Sequence, residues 1–264
     1  MTPILMLGAG RMGGALIEGW SQKGAFGPSD LIIRDPYPSK EALAAAQAGA
    51  RLNPDDGVLA EAKVLLLAVK PQMWREAAAQ IVDLLAPDCI IVSIAAGVRA
   101  ADISAAFGGR LVARIMPTTA VAVAKGVASV FAPDPKASQV AHALFDPVAV
   151  TVDVDDEALM DSVVGISGSA PAYLYAFIEA LEATGPAHGL TAEASRKLAR
   201  ATIIGAAALL EASQEDPAEL RKQVTSPGGT TQAALQVLMG EGGFGDLLAR
   251  AVTAAVNRSR ELAG

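Results

Sequence analysis

Two glycine-rich turns, one near each end of the chain, carry most of the chemistry that residue types alone can suggest. Near the C-terminus, Val224 to Leu235 reads VTSPGGTTQAAL. Gly228 and Gly229 carry no side chains, so a ligand can come close to the backbone there. Thr230 or Thr231 can cap the helical pattern that follows. The first N–H groups of such a helix have no partner within it, and with the helix dipole they favour an anion by roughly 0.3–1 kcal/mol when exposed and about 2 kcal/mol when partly buried. Taken alone, this turn reads first as a loop with a helix cap. Near the N-terminus, Gly8-Ala9-Gly10-Arg11-Met12-Gly13 spells GxGxxG between an apolar run, Ile4–Leu7, and a helical pattern, Arg11–Lys23. In that context the spacing points to a dinucleotide. Gly8 allows the tight turn, and Gly10 lets the backbone approach a pyrophosphate, with Arg11 and Met12 beside it. Gly13 lets the helix pack close to the strand.

Further contacts to a dinucleotide are expected at the carboxyl ends of the following strands. Leu31–Ile33 leads into Arg34-Asp35. Asp35 can accept from a ribose 2′-hydroxyl, which favours NAD; Arg34 can pair with a 2′-phosphate, which favours NADP. Lys40 adds positive charge nearby and tips the expectation to NADP, in which case Asp35 must turn away. Val64–Val69 closes on Ala68-Val69-Lys70-Pro71, where Lys70 faces either the coenzyme or solvent. Ile90–Ile94 runs into Ala95-Ala96-Gly97, small enough to leave room for a nicotinamide ring, and Leu111–Ile115 into Met116-Pro117-Thr118.

These ends need elements to hold them. The five runs alternate with helical patterns at Arg11–Lys23, Ser39–Ala48, Gln72–Leu85 and Ala101–Phe107, a rhythm that predicts βαβ units on a doubly wound parallel sheet. Val127–Phe131 and Val148–Val152 are expected to add edge strands around a helix at Lys136–Phe145. Strand signals stop near Asp156–Asp161. Tyr173–Thr184, Ala192–Glu211, Pro217–Val224, Thr231–Gly240 and Phe244–Leu262 read as helices, with Asp216-Pro217-Ala218-Glu219 as a capping box. The fold class is therefore α/β: a Rossmann-type dinucleotide-binding domain at 1–157, then an all-α domain at 158–264. So much apolar surface on the helical half predicts dimerisation.

Composition narrows the partners. The 264 residues carry a net charge of −7 and a pI near 4.9. No Lys/Arg stripe appears, which argues against nucleic acid and against an anionic membrane surface. No apolar run reaches the length of a membrane span, and the N-terminus lacks the basic segment of a signal peptide. A cytoplasmic protein acting on a small molecule is expected. Cys89 is the one cysteine and reads as a buried strand residue; Trp20 and Trp74 read as packing.

GAGRMG, AVKPQ, SIAAGV, SGSAPAY and SPGGTT, in this order along nearly the whole chain, resemble pyrroline-5-carboxylate reductase. The resemblance implies NAD(P)H-dependent reduction of a cyclic imine to L-proline, the last step of proline biosynthesis. It implies a Rossmann domain followed by a helical domain whose helices intertwine in a homodimer, with larger rings of dimers in some members. The backbone N–H groups of Ser226, Gly228, Gly229 and Thr230 are then expected to capture the substrate carboxylate. By resemblance, the Thr231 hydroxyl bonds the ring nitrogen, and the turn reaches the coenzyme of the partner chain. One motif departs: where the family has Met-Pro-Asn-Thr-Pro, this chain has Met116-Pro117-Thr118-Thr119-Ala120, which replaces an amide by a hydroxyl.

The histidine census fits an imine. An alcohol oxidation needs a base, often histidine or lysine, yet His142 and His188 lie in no motif and read as surface residues. An iminium carbon is already electrophilic, so positioning is the main requirement. Two other readings compete. A β-hydroxyacid dehydrogenase shares the opening but needs a lysine that SGSAPAYLYAF does not carry. A non-catalytic NADP sensor would have no use for SPGGTT. SGSAPAY is not a nucleophile elbow, because Ser169 stands where glycine is required; it reads as a small-residue helix start.

Overall fold

The computed structural model describes residues 1–263. Its first unit is built on an eight-stranded sheet in the order β3-β2-β1-β4-β5-β6-β7-β8. The strands are β1 (Ile4–Leu7), β2 (Leu31–Arg34), β3 (Arg51–Leu52), β4 (Val64–Leu67), β5 (Ile90–Ser93), β6 (Val112–Pro117), β7 (Gly126–Phe131) and β8 (Ala149–Asp153). Every neighbouring pair is parallel except β6 and β7, which run antiparallel. β1 and β4 are buried along their whole length, which is why they read as unbroken apolar runs rather than alternating ones. Helices α1 (Arg11–Lys23), α2 (Lys40–Gln47), α3 (Trp74–Ile81), α4 (Ala100–Ala106) and α5 (Pro135–Phe145) connect the strands. Two apolar cores result, one centred on Met6, Trp20, Leu66 and Phe145, the other on Leu5, Leu65, Trp74 and Phe107. The indole of Trp20 is fully buried and donates to the Leu144 carbonyl at 2.7 Å, so it bolts α1 to α5.

Several expectations needed correction. β3 has no counterpart in the sequence pattern, because two residues carry no readable periodicity. Only β8 is an edge strand at its end of the sheet; β7 is paired on both sides. The helix expected at Gln72–Leu85 is α3, flanked by 3-10 turns at Pro71–Met73 and Val82–Leu84.

The second unit is helical. α6 (Met160–Val163) and a π-helical turn (Val164–Gly168) lead to α7 (Ala170–Thr184), α8 (Ala192–Ala212), α9 (Pro217–Gln223), α10 (Thr230–Leu238) and α11 (Phe244–Ala263). The strands stop before 157/158, but compactness divides the chain after Gly168, and α11 from Val256 onward belongs to the first unit. There Ser259 Oγ donates to Asp161 at 2.6 Å. Pro217 opens α9 as expected, but the Asp216 side chain makes no capping bond; only its carbonyl does, accepting from Glu219 N–H at 2.9 Å. α7, α9 and α10 bury no residue within the chain, and α8 buries only Ser195 and Ala199. Ile204 is 70% exposed and Val237 76%. Apolar surface on this scale marks an interaction surface.

Candidate active site

The carboxyl ends of the central strands lie side by side: Leu7 is level with Arg34 and Leu67, and Leu67 with Ser93. The first glycine turn sits on this row. Gly8 has φ +91°, and a Cβ there would lie 2.9 Å from the Ala68 carbonyl. A Cβ on Gly13 would lie 2.7 Å from the Gly8 oxygen. Both glycines are therefore demanded by packing. Gly10 is different: a Cβ on it meets nothing within 4 Å. α1 starts on Gly10 with no capping side chain and no acidic residue in its first turn. The N–H groups of Arg11 and Met12 are thus presented beside an open cradle, and those are the requirements of a pyrophosphate site.

Around the cradle, Gly8 N–H donates to the Arg34 carbonyl at 2.9 Å and Ala68 N–H to that of Leu7 at 2.8 Å. The Val69 side chain packs beneath Gly8. Lys70 is exposed and precedes the short turn that Pro71 opens. Ala95 is buried with its N–H on Ser93 Oγ at 3.2 Å, Ala96 is exposed, and Gly97 adopts φ +74°. Pro117 ends β6, and Thr118 is 7% exposed. The Thr118 hydroxyl accepts from Val127 N–H at 3.0 Å, so it ties β6 to β7 while keeping its own proton to donate. Asp35 does not turn away, as the expectation of NADP required; it faces the turn, and its carboxylate accepts from Ala9 N–H at 2.5 Å and from Tyr37 N–H at 2.7 Å. Arg34 is ion-paired with Asp56 at 2.6 Å. Lys40 lies 3.6 Å from Glu41 and lines an open groove of about 580 Å³ with Ile17, Phe26 and Ala44.

In the second unit, α10 begins at Thr230 with Gly229 at its cap position and no side-chain cap. Neither threonine caps the helix; both lie in its first turn, Thr231 exposed. Gly228 has φ +70°, a left-handed bend that glycine adopts without strain. Its N–H donates to Gln232 Oε1 at 2.5 Å, and Gly229 N–H to the Ser226 carbonyl at 3.0 Å. Two of the four donors expected to meet a carboxylate are therefore engaged within the turn. Gly165–Tyr173 spans most of the π-turn and the start of α7, with Ser167 Oγ donating to the Val163 carbonyl at 3.0 Å. It is a helix start, as read, and no strand precedes Ser167.

Residues 157–262 match the family model described as pyrroline-5-carboxylate reductase dimerisation. Residues 3–97 match one described as NADP oxidoreductase, coenzyme F420-dependent. A pyrroline-5-carboxylate reductase of Pseudomonas aeruginosa is 36% identical over 99% of this chain and 97% of its own length. That of Pisum sativum is 35% identical over 97% and 94%. The chain belongs to the pyrroline-5-carboxylate reductase family. It is accordingly an oxidoreductase. The solved reductase of Coxiella burnetii superposes with a TM-score of 0.90 at 29% identity, covering 99% of this chain and 98% of that one. Among the described residues no helix is long and apolar enough to cross a membrane, and no cluster of His, Cys, Asp and Glu suits a metal ion.

Three features of this reductase lay outside the motifs. Asn53, at φ +46°, exchanges hydrogen bonds with the Asp35 backbone, both at 2.9 Å; asparagine tolerates that conformation, but nothing in its neighbours marks it. Glu157 accepts from the Ala100 N–H at 2.7 Å and pairs with Arg114 at 2.6 Å, pinning the first turn of α4 to β6. His142, on α5, is held by Asp146 at 3.1 Å and Asp153 at 3.0 Å. The hydrogen bond to Asp153 chiefly raises its pKa, against the opposing effect of burial. Cys89 is buried as expected, and burial pushes its thiol up to about 11, which keeps it unreactive.

Proposed function

We propose that the chain reduces 1-pyrroline-5-carboxylate to L-proline at the expense of a reduced nicotinamide coenzyme, NADPH in preference to NADH. The observation that carries this reading is full-length kinship with named reductases, on a chain whose first glycine turn presents an open cradle at a free helix start. The Plasmodium falciparum reductase, alike in fold at a TM-score of 0.84, was solved with NADP bound.

In this reading Gly8 to Gly13 hold the pyrophosphate, with Arg34 at the adenosine end. Ala68 to Pro71, Ala95 to Gly97, Pro117 and Thr118 line the rest. The bound nicotinamide supplies the hydride. Ser226, Gly228, Gly229 and Thr230 receive the substrate carboxylate, which displaces the Gln232 carboxamide from Gly228. The Thr231 hydroxyl holds the ring nitrogen and orients the imine; positioning of this kind contributes several kcal/mol. The exposed faces of α7, α8 and α10 are covered in a homodimer with intertwined helices, and the turn of one chain serves the coenzyme of its partner. We take the domain boundary at 157/158, where the sheet ends. A cytoplasmic location goes with this activity.

The test follows loss of reduced-nicotinamide absorbance with pyrroline-5-carboxylate and with its six-membered homologue, using both coenzymes. Turnover of the five-membered imine is expected, and Thr231→Ala should lower kcat far more than it weakens NADPH binding. No turnover with either coenzyme sinks the reading; equal loss of kcat and binding in the variant sinks the role of Thr231.

A further inference from the structure

Three charged residues meet at the end of β2, and only two of them are neighbours in sequence. Arg34 is the last residue of the strand, level with Leu7, and its carbonyl takes the Gly8 N–H. Its side chain therefore leaves the backbone one hydrogen bond away from the glycine turn, where the ribose of a dinucleotide lies when the pyrophosphate sits on that turn. Asp35 is already committed, with one carboxylate oxygen on the Ala9 N–H of the glycine turn and the other on the Tyr37 N–H. Asn53 clasps the Asp35 backbone and so leads the following segment back over the strand end. The result is Asp56, with Oδ1 at 2.6 Å from Arg34 Nη1.

The Arg34 guanidinium thus comes with a counter-ion. Lys40 does not make up the difference, since it is almost fully exposed and has Glu41 beside it. A coenzyme with a free 2′-hydroxyl asks nothing of Arg34. A 2′-phosphate needs it, and meets a carboxylate already there. We infer that Asp56 sets the coenzyme preference of this chain: it competes with the 2′-phosphate for Arg34 and narrows the margin of NADPH over NADH. The inference rests on the coenzyme reading above. Because both side chains reach solvent, with 36% and 59% of their surfaces exposed, the pair is weak enough for the phosphate to displace. One contact also leaves most of the five guanidinium donors free for it.

The substitution Asp56→Asn removes the charge and keeps an oxygen that can accept from Arg34, so the loop is retained. Binding of 2′,5′-ADP and of ADP is measured by calorimetry at low salt, which needs no substrate and no turnover. Asp56→Asn is expected to raise the preference for 2′,5′-ADP by about threefold to fivefold, and to shift the NADPH:NADH ratio of kcat/KM by the same factor. Arg34→Ala should lower the preference. In the Arg34→Ala background Asp56→Asn should change it by less than about twofold, because the two residues act through one contact. High salt should shrink the effect of Asp56→Asn, as screening does for exposed charges. An unchanged preference in Asp56→Asn, with both nucleotides still binding, overturns the inference and leaves the coenzyme reading intact. A gain that persists without Arg34 overturns it too, since Asp56 would then act on the phosphate directly. If neither nucleotide binds the unaltered protein, the coenzyme reading itself fails and this inference with it.

Discussion

Gly10 and Gly13 belong to one motif but are glycines for opposite reasons, and exchanging each for alanine separates them. The Cβ of Gly10→Ala projects into space with no protein atom within 4 Å. Folding stability should stay within about 0.5 kcal/mol. The methyl group does occupy the cradle in front of the Arg11 and Met12 N–H groups. Losing one hydrogen bond to a charged phosphate costs about 1.5–3 kcal/mol, so NADPH affinity should fall about tenfold to a hundredfold. The Cβ of Gly13→Ala instead falls 2.7 Å from the Gly8 carbonyl oxygen and 3.0 Å from Met6 Sδ. The oxygen belongs to backbone and cannot step aside. Overpacking of this kind costs about 1–3 kcal/mol, offset by about 1 kcal/mol of helix propensity gained. A net loss of up to about 2 kcal/mol is expected. Urea unfolding and titration of NADPH fluorescence measure the two quantities independently. Binding by Gly10→Ala within twofold of the unaltered protein would refute the cradle, and a stability loss there above about 2 kcal/mol would refute the open space.

Because its partners raise the pKa of His142, its contribution is fully present below the unfolded value near 6.5 and is lost as pH rises through the folded one. With Asp146 and Asp153 more than half exposed, that contribution is below about 1 kcal/mol. Stability measured by urea between pH 6 and 9 should fall by that amount, and His142→Asn should flatten the slope; an equal slope in the variant excludes the cluster as its source. Glu157→Ala leaves Arg114, with only 9% of its side chain exposed, lacking its counter-charge. A cost of about 2–4 kcal/mol is expected, a little under the range for fully buried pairs, and a cost below 1 kcal/mol would show the pair to be dispensable. Gly10→Ala and Thr231→Ala chains, refolded together, should regain about a quarter of unaltered activity if each site of a twofold dimer takes its turn from the partner. Activity no greater than the sum of the separate variants excludes that sharing.

Periodicity alone located nearly every element. The runs that became β1, β4 and β5 were legible because a parallel sheet covered on both faces selects continuous apolar segments. α1 was legible from its glycine start and its spacing. The motif glycines were legible because no other residue does what Gly8 does at φ +91°, and five motifs in order, from GAGRMG to SPGGTT, carried the family resemblance. β3 and the antiparallel partnering of β7 were not legible, since two residues have no period and a strand does not encode its neighbour's direction. The threonines of the second turn looked like caps, yet Gly229 takes that position and Gln232 answers Gly228. The partners of Arg34, Asp35, Arg114 and His142 escaped the sequence altogether. Charge pairs are chosen by distance in space, and Asp56 and Glu157 reach theirs only after the sheet has stacked strand ends that are far apart along the chain. The sequence by itself determined which elements form and what class of chemistry they serve; the tertiary structure decided which charges those elements set face to face, because that depends on strand order and loop path, which no local pattern contains.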